Sequence, residues 1–199
     1  MAAPPFIGLT GAVAAGKSEA LAAFGRLGAE TLSTDAIAHE LLADAQVRER
    51  LVERWGPEVA PGGEVDRAAV GARVFASPED LRWLEAELHP RVGERVLAWR
   101  QALPEGTSLA VVEVPLLFES GMDAVFDATV CVTAADEVRA GRAGARGTAD
   151  LAGREGRQLS QEEKAGRADF VLANDGTVDD LEAAVRELWP RFAEHGRMG

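Results

Sequence analysis

Residues 8–21 read GLTGAVAAGKSEAL and contain the pattern Gly11-x4-Gly16-Lys17-Ser18. A glycine-bounded loop of this spacing, placed after a strand and opening a helix, can turn successive backbone N–H groups toward one concavity, where the helix N-terminus adds its own partial positive charge. The chemistry is that of a nucleotide phosphate site. Gly11, Ala12, Val13, Ala14, Ala15, Gly16, Lys17, Ser18 and Glu19 are the candidate phosphate-binding residues. Lys17 is one of two lysines in a chain with 21 lysines and arginines together. A compact ammonium on a flexible stem suits the beta and gamma phosphates inside a tight loop better than a planar guanidinium does. The Ser18 hydroxyl is the kind of oxygen donor that Mg2+ takes alongside phosphate oxygens and water.

The loop does not name a reaction, so other residues must discriminate. Asp35 follows a second apolar segment and falls at the carboxyl edge of a parallel sheet, where ligands bind. There it either engages an attacking hydroxyl or caps the following helix, and one aspartate can do both. Glu113 ends the run VVEVP, a place from which an acid could hold a metal-bound water or bond to nearby backbone or arginine. Glu119, in LLFESG, has the same two readings. Residues 139–167 carry six arginines and one lysine against four acids on a Gly- and Ala-rich background. This segment is either a cover over an anionic ligand or a solvated charged helix. Arg142 and Arg146, four apart, would share a helical face and could meet a phosphate together. His89 precedes Pro90 and reads as a helix-end or packing residue, and no second His or Cys stands at metal-ligand spacing.

These residues need elements to position them. FIGLT at 6–10, TLST at 31–34, SLAVVEVP at 108–115, DATVCVT at 127–133 and FVL at 170–172 read as five strands. Leu21, Phe24 and Leu27 give a helix from Lys17 to Gly28, and Ile37, Leu41 and Leu42 a helix over 36–43. Residues 45–105 read as mostly helical, with PGGEVD at 61–66 as a loop and Ser77 as the cap of a long helix that Pro90 should kink or break. TVDD at 177–180 opens a last helix carrying Leu181, Val185, Leu188 and Trp189. Trp55, Trp83, Trp99 and Trp189 fall at helical core positions, and one or two could line a cleft for an aromatic base. Strands alternating with helices predict a five-stranded, mostly parallel sheet flanked by helices.

Bulk properties set the limits. With 199 residues and 47% apolar content the chain can build a single domain. A formal net charge of −12 argues against nucleic acid or an anionic membrane as partner. The single cysteine, Cys131, in TVCVT, reads as a packed thiol in a reducing compartment. No long apolar run and no basic leader are present, so a cytoplasmic location and a monomer or weak homo-oligomer are expected.

Taken together, IGLTGAVAAGKS, LGAETLSTDAIAHELL, GGEVDRAAVGARVFASPEDLRWLEAELHP, VVEVPLLFESGMD and RQLSQEEKAGRADFVLANDGTVDDL resemble the dephospho-coenzyme A kinases over residues 6–190. The resemblance implies the five-stranded core of nucleoside monophosphate kinases and transfer of the ATP gamma phosphate to the 3'-hydroxyl of dephospho-coenzyme A, with Mg2+. It implies that residues 11–18 cradle ATP, that Asp35 is the base, and that Asn174 and Gly176 lie against adenine. It implies a core of about 1–44, 106–138 and 169–199, an acceptor lobe of about 45–105 and a lid of about 139–168, with Arg142 or Arg146 clamping the transferred phosphate. The loop departs from the family's frequent GGIGSGKST by alanine at 12, 14 and 15 and Glu19, and Ser33 stands where an aspartate is common. Two alternatives are a kinase for another small hydroxyl acceptor and a non-enzymatic nucleotide switch. The second lacks an NKxD guanine motif.

Overall fold

A computed structural model describes residues 3–145 and 158–195. They fall into two compact units, Met1–Ser33 with Leu103–Gly199, and Thr34–Ala102.

The first unit holds five strands: β1 (Phe6–Gly11), β2 (Glu30–Ser33), β3 (Ala110–Glu113), β4 (Ala128–Thr133) and β5 (Phe170–Ala173). They form one sheet of order β2-β3-β1-β4-β5, and every pairing is parallel. The continuous apolar runs follow from this, because a central parallel strand is covered on both faces. Leu9 pairs with Glu113 on one side and Val130 on the other, and Glu113 in turn pairs with Ser33. Parallel strands bring their carboxyl ends to one edge, so Gly11, Ser33, Glu113, Thr133 and Ala173 end together there.

Among the described residues, four helices belong to this unit: α1 (Lys17–Arg26), α6 (Asp136–Ala145), α7 (Gln161–Arg167) and α8 (Val178–His195). The α8 positions Leu181, Val185, Leu188 and Phe192 recur at helical spacing and are buried. Phe192 packs with Phe24 of α1 at 6.1 Å and edge-on to Phe170 of β5 at 5.2 Å. Each such side chain stabilises the fold by about 1.5–3 kcal/mol, so α1, α8 and the sheet form one core.

The second unit is helical: α2 (Thr34–Leu41), α3 (Ala45–Trp55), α4 (Arg67–Ala76) and α5 (Pro78–Gln101). Asp44, Asp66 and Ser77 each cap the helix that follows by accepting backbone N–H groups. The segment expected to be a loop at 61–66 includes a short 3-10 turn, Pro61–Gly63.

Two expectations change. Thr34, read as the end of a strand, begins α2, so Asp35 lies inside the first helical turn rather than capping it from outside. Pro90 does not break α5, which runs unbroken for 24 residues. Leu84, Leu88, Val92 and Val96 stay buried on both sides of Pro90. Their combined burial exceeds the roughly 3 kcal/mol that an interior proline costs a helix. The tryptophans also divide: Trp55 is buried and meets Trp83 edge-on at 5.1 Å, whereas Trp83, Trp99 and Trp189 are half-buried.

Candidate active site

The loop leaves β1 at Gly11 and enters α1 at Lys17. Its shape is set by what holds its carbonyls. Lys17 Nζ donates to Gly11 O at 3.1 Å and Ala12 O at 2.9 Å. Arg139 Nε donates to Val13 O at 3.1 Å. Asn174 Nδ2 donates to Ala15 O at 2.9 Å, joined by Arg142 Nη1 at 3.3 Å. Gly16 O accepts from Ala20 N at 3.0 Å. A trans peptide points its N–H away from its C=O. Fixing the carbonyls of residues 11, 12, 13, 15 and 16 therefore turns the amides of residues 12, 13, 14, 16 and 17 away from those partners.

Three residues of the loop, Gly11, Ala14 and Gly16, have a positive φ. Gly16 has φ 95°, and a Cβ there would overlap Asn174 Nδ2, so both conformation and space select glycine. Ala14 has φ 61°, which for a residue with a Cβ costs about 1–2 kcal/mol. Alanine at a frequent glycine position has thus kept the loop's conformation at the expense of strain.

Ser18 lies at the start of α1, and its Oγ is 3.3 Å from Glu113 Oε1 at the end of β3. Glu113 is buried. A hydroxyl and a buried carboxylate at the mouth of the loop are hard oxygen donors of the type Mg2+ prefers. Among the described residues no group of three or more His, Cys, Asp and Glu side chains could hold a metal by itself. The Glu19 carboxylate is engaged by Arg26 at 2.9 Å along α1.

Arg142 bonds a carbonyl of the loop, and the residue that joins it there is Arg139, three residues earlier on α6. Arg146 lies outside the described residues. Sequence reasoning passed over Arg139 because the i,i+4 pair drew attention to Arg142 and Arg146. The available signal was that α6 begins three residues after β4, the neighbour of β1, so its first turn must lie beside the loop. Asn174 is buried, and its backbone N–H bonds to Thr133 O at 2.8 Å. Gly176 follows in the turn that leads to α8, where Thr177 and Asp180 cap each other. The Thr177 hydroxyl and amide hold the Asp180 carboxyl below the usual carboxylate range.

The second lysine lies on the same edge of the sheet. Lys164, on α7, is fully buried. Its Nζ is 3.1 Å from Glu119 Oε1 and donates to Pro115 O at 2.6 Å. Glu119 also accepts from Leu159 N at 2.9 Å, and Pro115 O accepts from Thr10 Oγ1 at 3.3 Å. The pair therefore ties the loop after β3 to the entry of α7 and to β1, which gives Glu119 a structural partner. Gln161 adds a two-way amide bond to Ala134, accepting from its N at 3.0 Å and donating to its O at 3.1 Å. Between these tethers lies a cavity of about 420 Å³ lined by Ala12 and Val13 of the loop, Arg139 of α6 and Gln158 to Glu163. Cys131, in the middle of β4, is buried and its thiol is pushed up to about 11 by burial, against the opposing fields of Lys164 and Lys17.

Asp35 belongs to the helical unit, in the first turn of α2, and is exposed. No helix among the described residues is long and apolar enough to cross a membrane.

Known proteins resemble this chain over most of its length. The family model for dephospho-CoA kinase matches residues 5–180. A dephospho-CoA kinase of Deinococcus radiodurans is 40% identical over 193 residues, covering 93% of each chain. Among solved structures, TT1252 from Thermus thermophilus superposes with a TM-score of 0.80 at 35% identity, covering 96% of this chain and 98% of that one. Dephospho-CoA kinase from Campylobacter jejuni follows with a TM-score of 0.71 at 26% identity, covering 97% and 98%. With a family model over residues 5–180 and a relative 40% identical along nearly the whole length, the chain belongs to the dephospho-CoA kinase family.

Proposed function

We propose that this chain transfers the terminal phosphoryl group of ATP to the 3'-hydroxyl of the ribose of dephospho-coenzyme A, giving coenzyme A and ADP. The observation that carries the reading is the glycine-bounded loop at residues 11–18, whose carbonyls are held by Lys17, Arg139 and Asn174, in a chain matched to the family over residues 5–180. In the reaction the acceptor oxygen bonds to the gamma phosphorus. The bond from that phosphorus to the beta–gamma bridging oxygen breaks, and its electron pair leaves with ADP. Lys17 exchanges its two carbonyl partners for beta and gamma phosphate oxygens. Arg142, with Arg146, neutralises charge developing on the transferred group. Ser18 Oγ would hold Mg2+ beside the phosphates, and Glu113 would hold water bound to it; the ion's chemistry there is to shield phosphate charge. Asp35 accepts the proton of the 3'-hydroxyl, and Asn174 and Gly176 border the adenine. Residues of about 45–105 receive the acceptor and those of about 139–168 form the lid. The reaction is placed in the cytoplasm, with no nucleic-acid or membrane partner.

The test is to mix the purified chain with MgATP and dephospho-coenzyme A and to follow acceptor mass. A gain of one phosphoryl group on dephospho-coenzyme A, giving a product identical to coenzyme A, is expected. Nucleotide binding without that product, or faster turnover of another hydroxyl acceptor, would overturn the acceptor assignment.

A further inference from the structure

The peptide between Val13 and Ala14 joins a carbonyl gripped from α6 to the loop residue that has both a Cβ and a left-handed backbone. Its carbonyl belongs to Val13 and accepts from Arg139 Nε at 3.1 Å. Its N–H belongs to Ala14, whose φ of 61° is the one positive value outside glycine among the described residues. Because φ at Ala14 describes rotation about the bond from this N–H to Cα, the orientation of the Val13 carbonyl and the left-handed state of Ala14 are one degree of freedom. If the carbonyl is released, the peptide can rotate, Ala14 can return to negative φ, and its amide leaves the anion-binding face. The neighbouring carbonyl, Ala15 O, is held separately by Asn174 and Arg142. The Arg139 side chain is mostly buried, 17% exposed, and its Nη1 is steadied by Asp136 at 3.0 Å.

We propose that Arg139 is a positioning residue for nucleotide binding: it grips the Val13 carbonyl and so holds Ala14 in the left-handed conformation that directs the Ala14 amide at a bound phosphate. The inference rests on the kinase reading above and assigns Arg139 a task distinct from charge neutralisation on the transferred group. It also explains how the loop accommodates alanine at a position that favours glycine. With glycine at 14 the left-handed state carries no penalty, so the grip of Arg139 becomes dispensable.

The experiment is a double-mutant cycle of Arg139→Met on two backgrounds, the natural chain and Ala14→Gly, read by calorimetric MgATP binding and by kcat and KM for each substrate. On the natural background Arg139→Met should weaken MgATP binding and raise KM for ATP about fivefold, with kcat and KM for dephospho-coenzyme A changed by less than about twofold. On the Ala14→Gly background the same substitution should raise KM for ATP by less than about twofold. An equal penalty on both backgrounds would mean that Arg139 acts through charge alone and would overturn the proposal, as would no penalty on either. A natural chain that binds MgATP but leaves dephospho-coenzyme A unmodified would remove the acceptor assignment while the binding arm still decides the role of Arg139. A chain that binds no MgATP would overturn both.

Discussion

The phosphate loop and the junction between β3 and α7 each hold one of the chain's two lysines, and they hold them in opposite ways. Lys17 is half-buried and rests on the carbonyls of Gly11 and Ala12. Lys164 has no exposed surface and faces a carboxylate, Glu119, at 3.1 Å. Neutral dipoles can release an ammonium to a stronger anion at little cost. An ion pair whose ammonium is fully buried cannot be separated without leaving that ammonium stranded in a poorly polarisable interior. Under the proposed function the same side chain is an exchangeable ligand in one place and a fixed tether in the other, at the same edge of one sheet.

Four measurements would break or sharpen this contrast. The largest effect is expected from Lys17→Ala, which should lower turnover by at least about a thousandfold. Its urea-unfolding free energy should stay within about 1 kcal/mol of the natural chain; a large loss of stability would erase the distinction. Lys164→Met should do the reverse, removing about 2 kcal/mol of stability by leaving Glu119 and the Pro115 carbonyl without their donor, and adding Glu119→Gln should restore part of it. No restoration would mean that the pair is not the tether.

A smaller effect concerns the cap that starts the helix of Lys164. The Ser160 amide, and then its hydroxyl, hold the Glu163 carboxyl below the ordinary glutamate range. The folded pKa is lower than the unfolded one, so this contribution is complete above the ordinary glutamate range and fades as pH falls through the folded value. Glu163→Gln should therefore reduce stability at neutral pH and flatten the acid limb of the stability curve, as measured by unfolding from pH 7 to pH 3. A variant whose acid limb matched the natural one would remove Glu163 from the account.

The smallest effect is at Cys131, which feels both lysines. Its thiol, pushed up to about 11 by burial, should resist iodoacetamide at pH 8 in the folded chain and react promptly once unfolded, read by mass. Rapid labelling of the folded chain would show that the strand between the lysines is open to solvent.

These two regions also show what the amino-acid order makes legible. The five strands were readable because strands covered on both faces are continuous apolar runs, and the loop was readable because its glycines and lysine have few other uses at that spacing. Ser77 and the Thr177–Asp180 cap were local and therefore visible. Arg139 and Lys164 were not, since each draws its role from a partner far along the chain: Val13 lies 126 residues from Arg139, and Pro115 lies 49 residues from Lys164. A lysine in the run QEEK reads as solvated, and only tertiary contact removes it from water. Pro90 failed as a helix breaker for the same reason, because burial along α5 outweighs local preference. Thr34 favours a strand by propensity, yet α2 begins there, which moves Asp35 from a helix cap into the first turn.

Asn174, which pins the loop through Ala15, lies 159 residues downstream of it. During synthesis the ribosome delivers the amino-terminal strand first, so a nascent chain displays the complete phosphate signature long before it can grip a nucleotide. Competence arrives only when the last strand has docked, and a protein truncated ahead of that point would carry the motif as an inert label.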